Sequence, residues 1–177
     1  MNQEEKTVKK NLIYDGKILQ LYNDEIVTPG GKTAYREYVN HHGGASVLAV
    51  DDEENIYLVE QYRYAYKQLL LEIPAGKLEK DEDPMECAIR ELKEEIGAEC
   101  KEMKLMELVY PTPGYTNEPL HIFLAKGLTF GETHWDEDEY LNIKKIPFSK
   151  ALEMVKSGEI KDGKSVVAIL RYAVFKG

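Results

Sequence analysis

Residues 76–98, GKLEKDEDPMECAIRELKEEIGA, place Arg90 and three carboxylates, Glu91, Glu94 and Glu95, in one short stretch of helical pattern. At i, i+3 and i+4 the three glutamates project from one face of a helix. Like charges at that spacing destabilise a bare helix and raise carboxylate pKa values unless a positive charge lies nearby. A divalent cation removes the conflict. Oxygen donors without His or Cys suit Mg²⁺ or Mn²⁺ rather than zinc, and Mg²⁺ commonly shares a few carboxylates with the phosphates of a substrate. The flanking residues predict how the acidic face is held. Asp83, Pro84 and Glu86 supply an N-cap, a proline at the first helical position and the third-position acid of a capping box. Ile89, Leu92 and Ile96 predict a buried stripe beside the acidic one, and Gly97 ends the helix cheaply in the left-handed conformation. The loop from Gly76 brings Glu82 back towards the helix, and Arg90 is spaced to pair with Glu94 and orient it.

The order Gly, five residues, Glu, seven residues, Arg-Glu-apolar-x-Glu-Glu-x-Gly-apolar resembles the signature of the Nudix hydrolases. Gly76, Glu82, Arg90, Glu91, Leu92, Glu94, Glu95, Gly97 and Ala98 match it position by position, with Ala98 smaller than the aliphatic residue usual there. The resemblance implies an α/β (α+β) fold, a Nudix-type α/β/α sandwich with a mixed central sheet. It also implies a Mg²⁺-dependent pyrophosphohydrolase, with Mn²⁺ as a possible substitute. In that scheme Glu91 and Glu95 bind the cations directly, helped by the Ala75 carbonyl, while Glu94 and Arg90 orient them.

At 177 residues the chain is long enough for one substantial core and rather long for a bare Nudix domain, so a catalytic domain with an extension is expected. Asp and Glu number 32 against 23 Lys and Arg, and the net charge of -9 argues against general nucleic-acid or anionic-membrane binding. Local basic residues must then bind any phosphate. The first residues, MNQEEKTVKKNLIY, lack a long apolar run, so neither a secretory signal nor a transmembrane segment is expected. Two cysteines, Cys87 and Cys100, form no CxxC, which suits a reduced cytoplasmic protein.

Along the chain, Lys10 to His41 splits into three half-polar strands, KNLIY, ILQLYNDEIVT and TAYREYVNH, broken at Asp15-Gly16 and Pro29-Gly30-Gly31. A sheet this polar has little core of its own. Residues 1–44 are therefore expected to form a small antiparallel N-terminal sheet that packs on the main domain or on a second subunit, and residues 45–177 the catalytic domain; the Nudix resemblance implies that the sheet is a dimerisation and substrate-binding arm. The second part reads as buried strands ASVLAVD and NIYLVEQYRY, the stretch LLLEIPAG, and strands near 101–110, 121–125 and 140–146. A helix from about Ser149 follows, then a last one over 164–175 with Val167, Leu170 and Val174 at helical spacing.

Three further constellations bear on substrate. YPTPGYTNEP, residues 110–119, is a stiff loop with aromatic faces, suited to holding a flat or sugar-like group, and Pro113, Gly114 and Tyr115 are its candidate contacts. Within the Nudix resemblance, Pro113 is similar to the marker of the ADP-ribose pyrophosphatase subfamily. Arg63, in Gln61-Tyr62-Arg63, and Arg36, in TAYREYV, offer planar forks for two consecutive phosphates. Both look like the phosphate-contacting arginines of that subfamily. The acidic run Asp136-Glu137-Asp138-Glu139 most often means a solvated loop. The resemblance instead implies that Glu139 is a further metal ligand and Glu137 the base that activates water. Trp135 and several N-terminal tyrosines are alternatives for stacking on adenine.

The resemblance to that subfamily implies hydrolysis of ADP-ribose to AMP and ribose 5-phosphate by a homodimer joined through the N-terminal sheet. Other nucleoside diphosphate derivatives, such as GDP-mannose, NADH or dinucleoside polyphosphates, are the alternative substrates. A sensor that binds ADP-ribose without cleaving it is the alternative of a different class.

Overall fold

The computed structural model describes residues 2–135 and 140–176. The chain separates into two compact units, 1–43 with 110–119, and 44–109 with 120–177.

The first unit is a four-stranded antiparallel sheet: β1 (Lys6–Lys9), β2 (Leu12–Asp15), β3 (Gln20–Val27) and β4 (Thr33–Asn40). β3 pairs with β4 along its whole length, while β1 meets its 25–27 end and β2 its 20–22 end. β1 adds a strand to the three expected, because KTVK carries one apolar residue and so no readable alternation. Both short strands are exposed throughout, and the sheet leaves Val8, Leu12, Ile13, Tyr14 and Tyr35 in solvent. The 110–119 loop belongs to this sheet through the end of β4. The Val39 N–H donates to the Tyr115 carbonyl at 2.7 Å, the Asn117 N–H to Val39 at 3.2 Å, and the Asn117 amide to the Asn40 side chain at 2.6 Å.

The second unit is the mixed sandwich expected from the sequence. Its four-stranded sheet runs β8 (Ala75–Lys77), β5 (Gly44–Ala49), β10 (Leu120–Phe130), β9 (Ala98–Val109), with β5 and β10 parallel and the outer pairs antiparallel. A three-stranded antiparallel sheet, β11 (Asn142–Pro147), β6 (Asn55–Arg63), β7 (Gln68–Glu72), completes the layer. Three helices flank it: α1 (Pro84–Ile96), α2 (Phe148–Lys156) and α3 (Gly163–Lys176).

Alternation along the strands divides the interior into two cores. Ala45, Val47, Ala49, Tyr57, Val59 and Phe123 pack with Leu92 and Ile96 of α1. Their neighbours Leu48, Val50, Ile56, Leu58 and Ile122 pack with Phe148 and Ala151 of α2 and with Ile169 and Tyr172 of α3. Covered on both faces, β5 is buried at all six positions, which is why its sequence, small and apolar apart from Ser46, shows no polar alternation.

Two expected apolar stripes are displaced. On α1 the buried face is Cys87, Ala88, Glu91, Leu92, Glu95 and Ile96, whereas Ile89 lies outside it and is 48% exposed. On α3 the buried residues are Ser165, Ala168, Ile169 and Tyr172, and Leu170 and Val174 face solvent. Among the described residues no helix is long and apolar enough to cross a membrane.

Candidate active site

α1 begins and ends where its sequence dictates. The Asp83 side chain accepts from the N–H groups of Met85 and Glu86, Pro84 occupies the first turn, and Gly97 closes the helix at φ 66°. A side chain at Gly97 meets a second obstacle, since its Cβ stands 2.7 Å from the Gly131 carbonyl. That carbonyl belongs to a segment fastened along the end of α1. The Gly131 N–H donates to Gly97 at 2.7 Å, the His134 N–H to Glu94 at 3.0 Å, and the Trp135 indole N–H to the Glu95 carbonyl at 2.9 Å. Trp135 thus has a packing role at the helix end.

Two of the three box glutamates face inward. Glu91 and Glu95 are 8% and 3% exposed, while Glu94 is half-exposed. The Ala75 N–H, at the start of β8, donates to Glu95 Oε2 at 3.1 Å. Gly76 follows it, and a Cβ built there lands within the Glu91 carboxylate, so only glycine leaves room for that side chain.

Arg90 gathers the acidic face. Its Nη1 donates to Glu91 Oε1 at 2.7 Å and to Glu94 Oε2 at 3.0 Å, and its Nε to Glu82 Oε1 at 3.2 Å. Burial works against its charge, but Glu82 and Glu91 more than compensate, so the guanidinium holds its proton more firmly than in water. Glu82 shows the same balance from the other side. Burial raises its pKa, and the Glu79 N–H together with Arg90 overcomes that and leaves it below the usual carboxylate range. Cys87, beneath Arg90, is pushed up to about 12 by burial first and by Glu82 next, so it is an inert thiol.

Arg63 stands at the end of β6 in the same unit. Its Nε and Nη2 each donate at 2.6 Å to the two oxygens of Glu72, a bidentate pair on a carboxylate only 2% exposed. Lys164 also binds Glu72 and reaches Asp162 at 3.1 Å. The bond to Glu72 raises the Arg63 pKa, and the carboxylates of Asp162 and Glu95 add to the field, which puts Arg63 in the electrostatic neighbourhood of the box. Glu72, Asp162 and Lys164 escaped the sequence reading. An acid inside the apolar run LLLEIP, and Asp-Gly-Lys-Ser at the start of a helix, are the signals that carry them.

The remaining candidates lie in the other unit or outside the described residues. Arg36, on β4, is exposed; its Nε donates to Glu5 at 2.9 Å, a second bond joins the same carboxylate, and Nη1 donates to the Tyr35 carbonyl at 2.9 Å. Pro113, Gly114 and Tyr115 are exposed on the loop zipped to β4. Arg36 and that loop therefore share one unit. Glu137 and Glu139 lie outside the described residues.

A hard divalent cation fits the chemistry of the α1 face. Two buried carboxylates and one half-exposed one crowd a single helix side, with no soft ligand among them except a thiol that stays protonated. Among the described residues no group of three acidic, histidine or cysteine side chains is disposed to hold an ion alone. A cation held at the α1 glutamates would draw further oxygen ligands from substrate phosphates or other acids.

Comparison with known proteins yields the same grouping. The NUDIX domain model matches residues 40–167. A methanol dehydrogenase activator of Bacillus methanolicus is 41% identical over 168 residues, covering 94% of this chain and 91% of that protein. An ADP-ribose pyrophosphatase of Bacillus subtilis (strain 168) is 42% identical over 168 residues, with the same coverage of 94% and 91%. A crystal structure of an ADP compounds hydrolase has the same fold, with a TM-score of 0.85 at 18% identity over 98% of this chain and 94% of that one.

Proposed function

The chain belongs to the Nudix family, and from that premise we propose that it is a divalent-metal-dependent hydrolase that splits the diphosphate of ADP-ribose into AMP and ribose 5-phosphate. The carrying observation is the presence, in one unit, of the two buried glutamates of α1 and the forked Arg63, linked by the segment from Glu72, which bonds to Arg63, to Ala75, which bonds to Glu95. The ADP-ribose pyrophosphatase of B. subtilis supports the choice of substrate.

Glu91 and Glu95, the Ala75 carbonyl and Glu139 are the proposed holders of Mg²⁺ or Mn²⁺. The cation neutralises the diphosphate and acidifies water when bound. Arg90 positions Glu91 and Glu94 by its two Nη1 bonds. Glu137 takes the proton from the attacking water. Arg63 and Arg36 stabilise the charge that builds on the phosphate oxygens. Pro113, Gly114 and Tyr115 hold the nucleoside or the terminal sugar, the stiff loop limiting the entropy lost on binding.

The same proposal includes a homodimer through β1–β4. Five large apolar side chains of that sheet face solvent in the single chain, and covering them needs a partner surface. Deleting residues 1–40 is expected to give a monomer by light scattering and to raise KM sharply; a monomer with unchanged KM refutes the arm's role in binding.

One panel tests the activity. The protein is incubated with Mg²⁺ and, separately, ADP-ribose, NADH, GDP-mannose and dinucleoside polyphosphates, and mononucleotide release is followed. The expected result is a preference for ADP-ribose in kcat/KM. Equal turnover across the panel defeats the choice of ADP-ribose, and tight binding without turnover identifies a sensor.

A further inference from the structure

Arg63 is a long, half-exposed side chain at the end of a strand, and such a side chain costs rotamer entropy to fix. Here the cost is met in advance. Glu72 stands in register opposite Val59 on the neighbouring strand and takes both Nε and Nη2 of Arg63 at 2.6 Å. That leaves Nη1 without a hydrogen-bond partner among the described residues.

Glu72 is itself clamped by the N-terminus of α3. Lys164 binds its carboxylate, and the Ser165 hydroxyl accepts from the N–H of the next residue, Ile73, at 2.8 Å. Asp162 fixes both clamps. It accepts from the Ser165 hydroxyl at 2.5 Å and the Ser165 N–H at 3.0 Å, and it pairs with Lys164 at 3.1 Å. Two residues beyond Ile73, the Ala75 N–H holds Glu95. A four-residue segment, Glu72 to Ala75, thereby ties the guanidinium fork at one end to a box carboxylate at the other.

We propose that Glu72 and Lys164 are positioning residues that hold Arg63 as a preset fork for the substrate diphosphate, with α3 as the brace. Two cations share one buried carboxylate. Asp162 takes up the charge of Lys164, so the four groups balance, and Arg63 is the member that reaches solvent, 41% exposed where Lys164 is 10% exposed. A surface ion pair with no further purpose does not need a buried carboxylate, a second cation and a helix terminus behind it. The inference rests on Arg63 being a diphosphate contact, as proposed above.

A double-mutant cycle tests it, with Glu72→Gln, Arg63→Ala and their combination, read as kcat/KM with Mg²⁺ and as Kd for ADP-ribose by calorimetry without metal. Glu72→Gln is expected to lose roughly 10- to 100-fold in kcat/KM, the range for a misplaced binding group. In the Arg63→Ala background the same change is expected to cost less than about twofold, because Glu72 acts through Arg63. Lys164→Met, which leaves the Glu72–Arg63 pair intact, serves if Glu72→Gln does not fold; its loss is expected to be smaller and again to vanish in the Arg63→Ala background. Mn²⁺ affinity is expected to stay unchanged in every variant. Equal losses in both backgrounds overturn the positioning role while leaving Arg63 a substrate contact. No loss of binding or turnover on Arg63→Ala overturns both.

Discussion

Gly76→Ala is the smallest change that reaches the proposed metal-binding face without touching a charged residue. The backbone at Gly76 needs no positive φ, so the effect of the added methyl is steric alone. That methyl occupies the space of the Glu91 carboxylate, which is buried and bonded to Arg90 at 2.7 Å. Either the carboxylate swings away and loses its charge-assisted bond, at about 1.5–3 kcal/mol, or β8 shifts against α1 with an overpacking cost of about 1–3 kcal/mol. The cheaper route sets the loss at about 1–3 kcal/mol. For a chain of this size each kcal/mol moves Tm by about 2–4 °C, so a fall of about 2–12 °C is expected. Activity is expected to drop about 100-fold or more, since a shift of about 1 Å in a reacting group has that consequence. The distinguishing variant is Gly76→Ala with Glu91→Ala. Removing the carboxylate vacates the space, so the double variant is expected to be more stable than the two single effects predict by about 1–3 kcal/mol, while activity stays lost. Urea unfolding of the metal-free proteins measures the first quantity and mononucleotide release the second. Strict additivity in stability, or full activity in Gly76→Ala, refutes the reasoning.

Glu95→Gln keeps an oxygen for the Ala75 N–H but removes the charge, so the fold is expected to survive with activity down by at least about 100-fold; circular dichroism and kcat check the two halves. Burial raises the Asp51 pKa, but Lys145, both Asn55 donors and the Tyr57 hydroxyl outweigh it, so the folded value lies below the unfolded one. Its stabilisation is therefore present above the unfolded pKa of about 3.9 and lost as pH falls towards the folded value. Asp51→Asn is expected to flatten the acid limb of a urea-midpoint curve measured from pH 6 to 3, and an unchanged slope counts against it. Cys87, buried with its pKa near 12, is expected to escape iodoacetamide at pH 8 in the native protein and to react after unfolding, as mass spectrometry reads directly.

What was legible in the sequence was whatever local chemistry dictates. Asp83-Pro84 and Gly97 bound α1 because caps are local, and ASVLAV declared a strand covered on both faces. The buried faces of the helices were misread for a common reason. Apolar periodicity selects every Ile, Leu and Val, whereas α1 and α3 also bury Glu91, Glu95, Cys87, Ala88, Ser165 and Ala168. Ile89, Leu170 and Val174 were left outside. The pairing of Glu72 with Lys164 was beyond reach for another reason, since nothing in a sequence announces an ion pair between residues 92 positions apart. β1 was missed because four residues with one apolar side chain leave no period to detect.

The backbone bonds between β4 and the 110–119 loop constrain how the N-terminal sheet can be exchanged by recombination. The loop is encoded between two strands of the catalytic sheet, yet it groups with residues 1–43. A chimera that imports only the N-terminal sheet of a relative puts a foreign β4 against the native loop and keeps the Asn40–Asn117 side-chain bond only where the imported sheet also has an acceptor at position 40. Residues 1–43 and 110–119 form one structural module in two pieces, and a graft that exchanges it has to carry both.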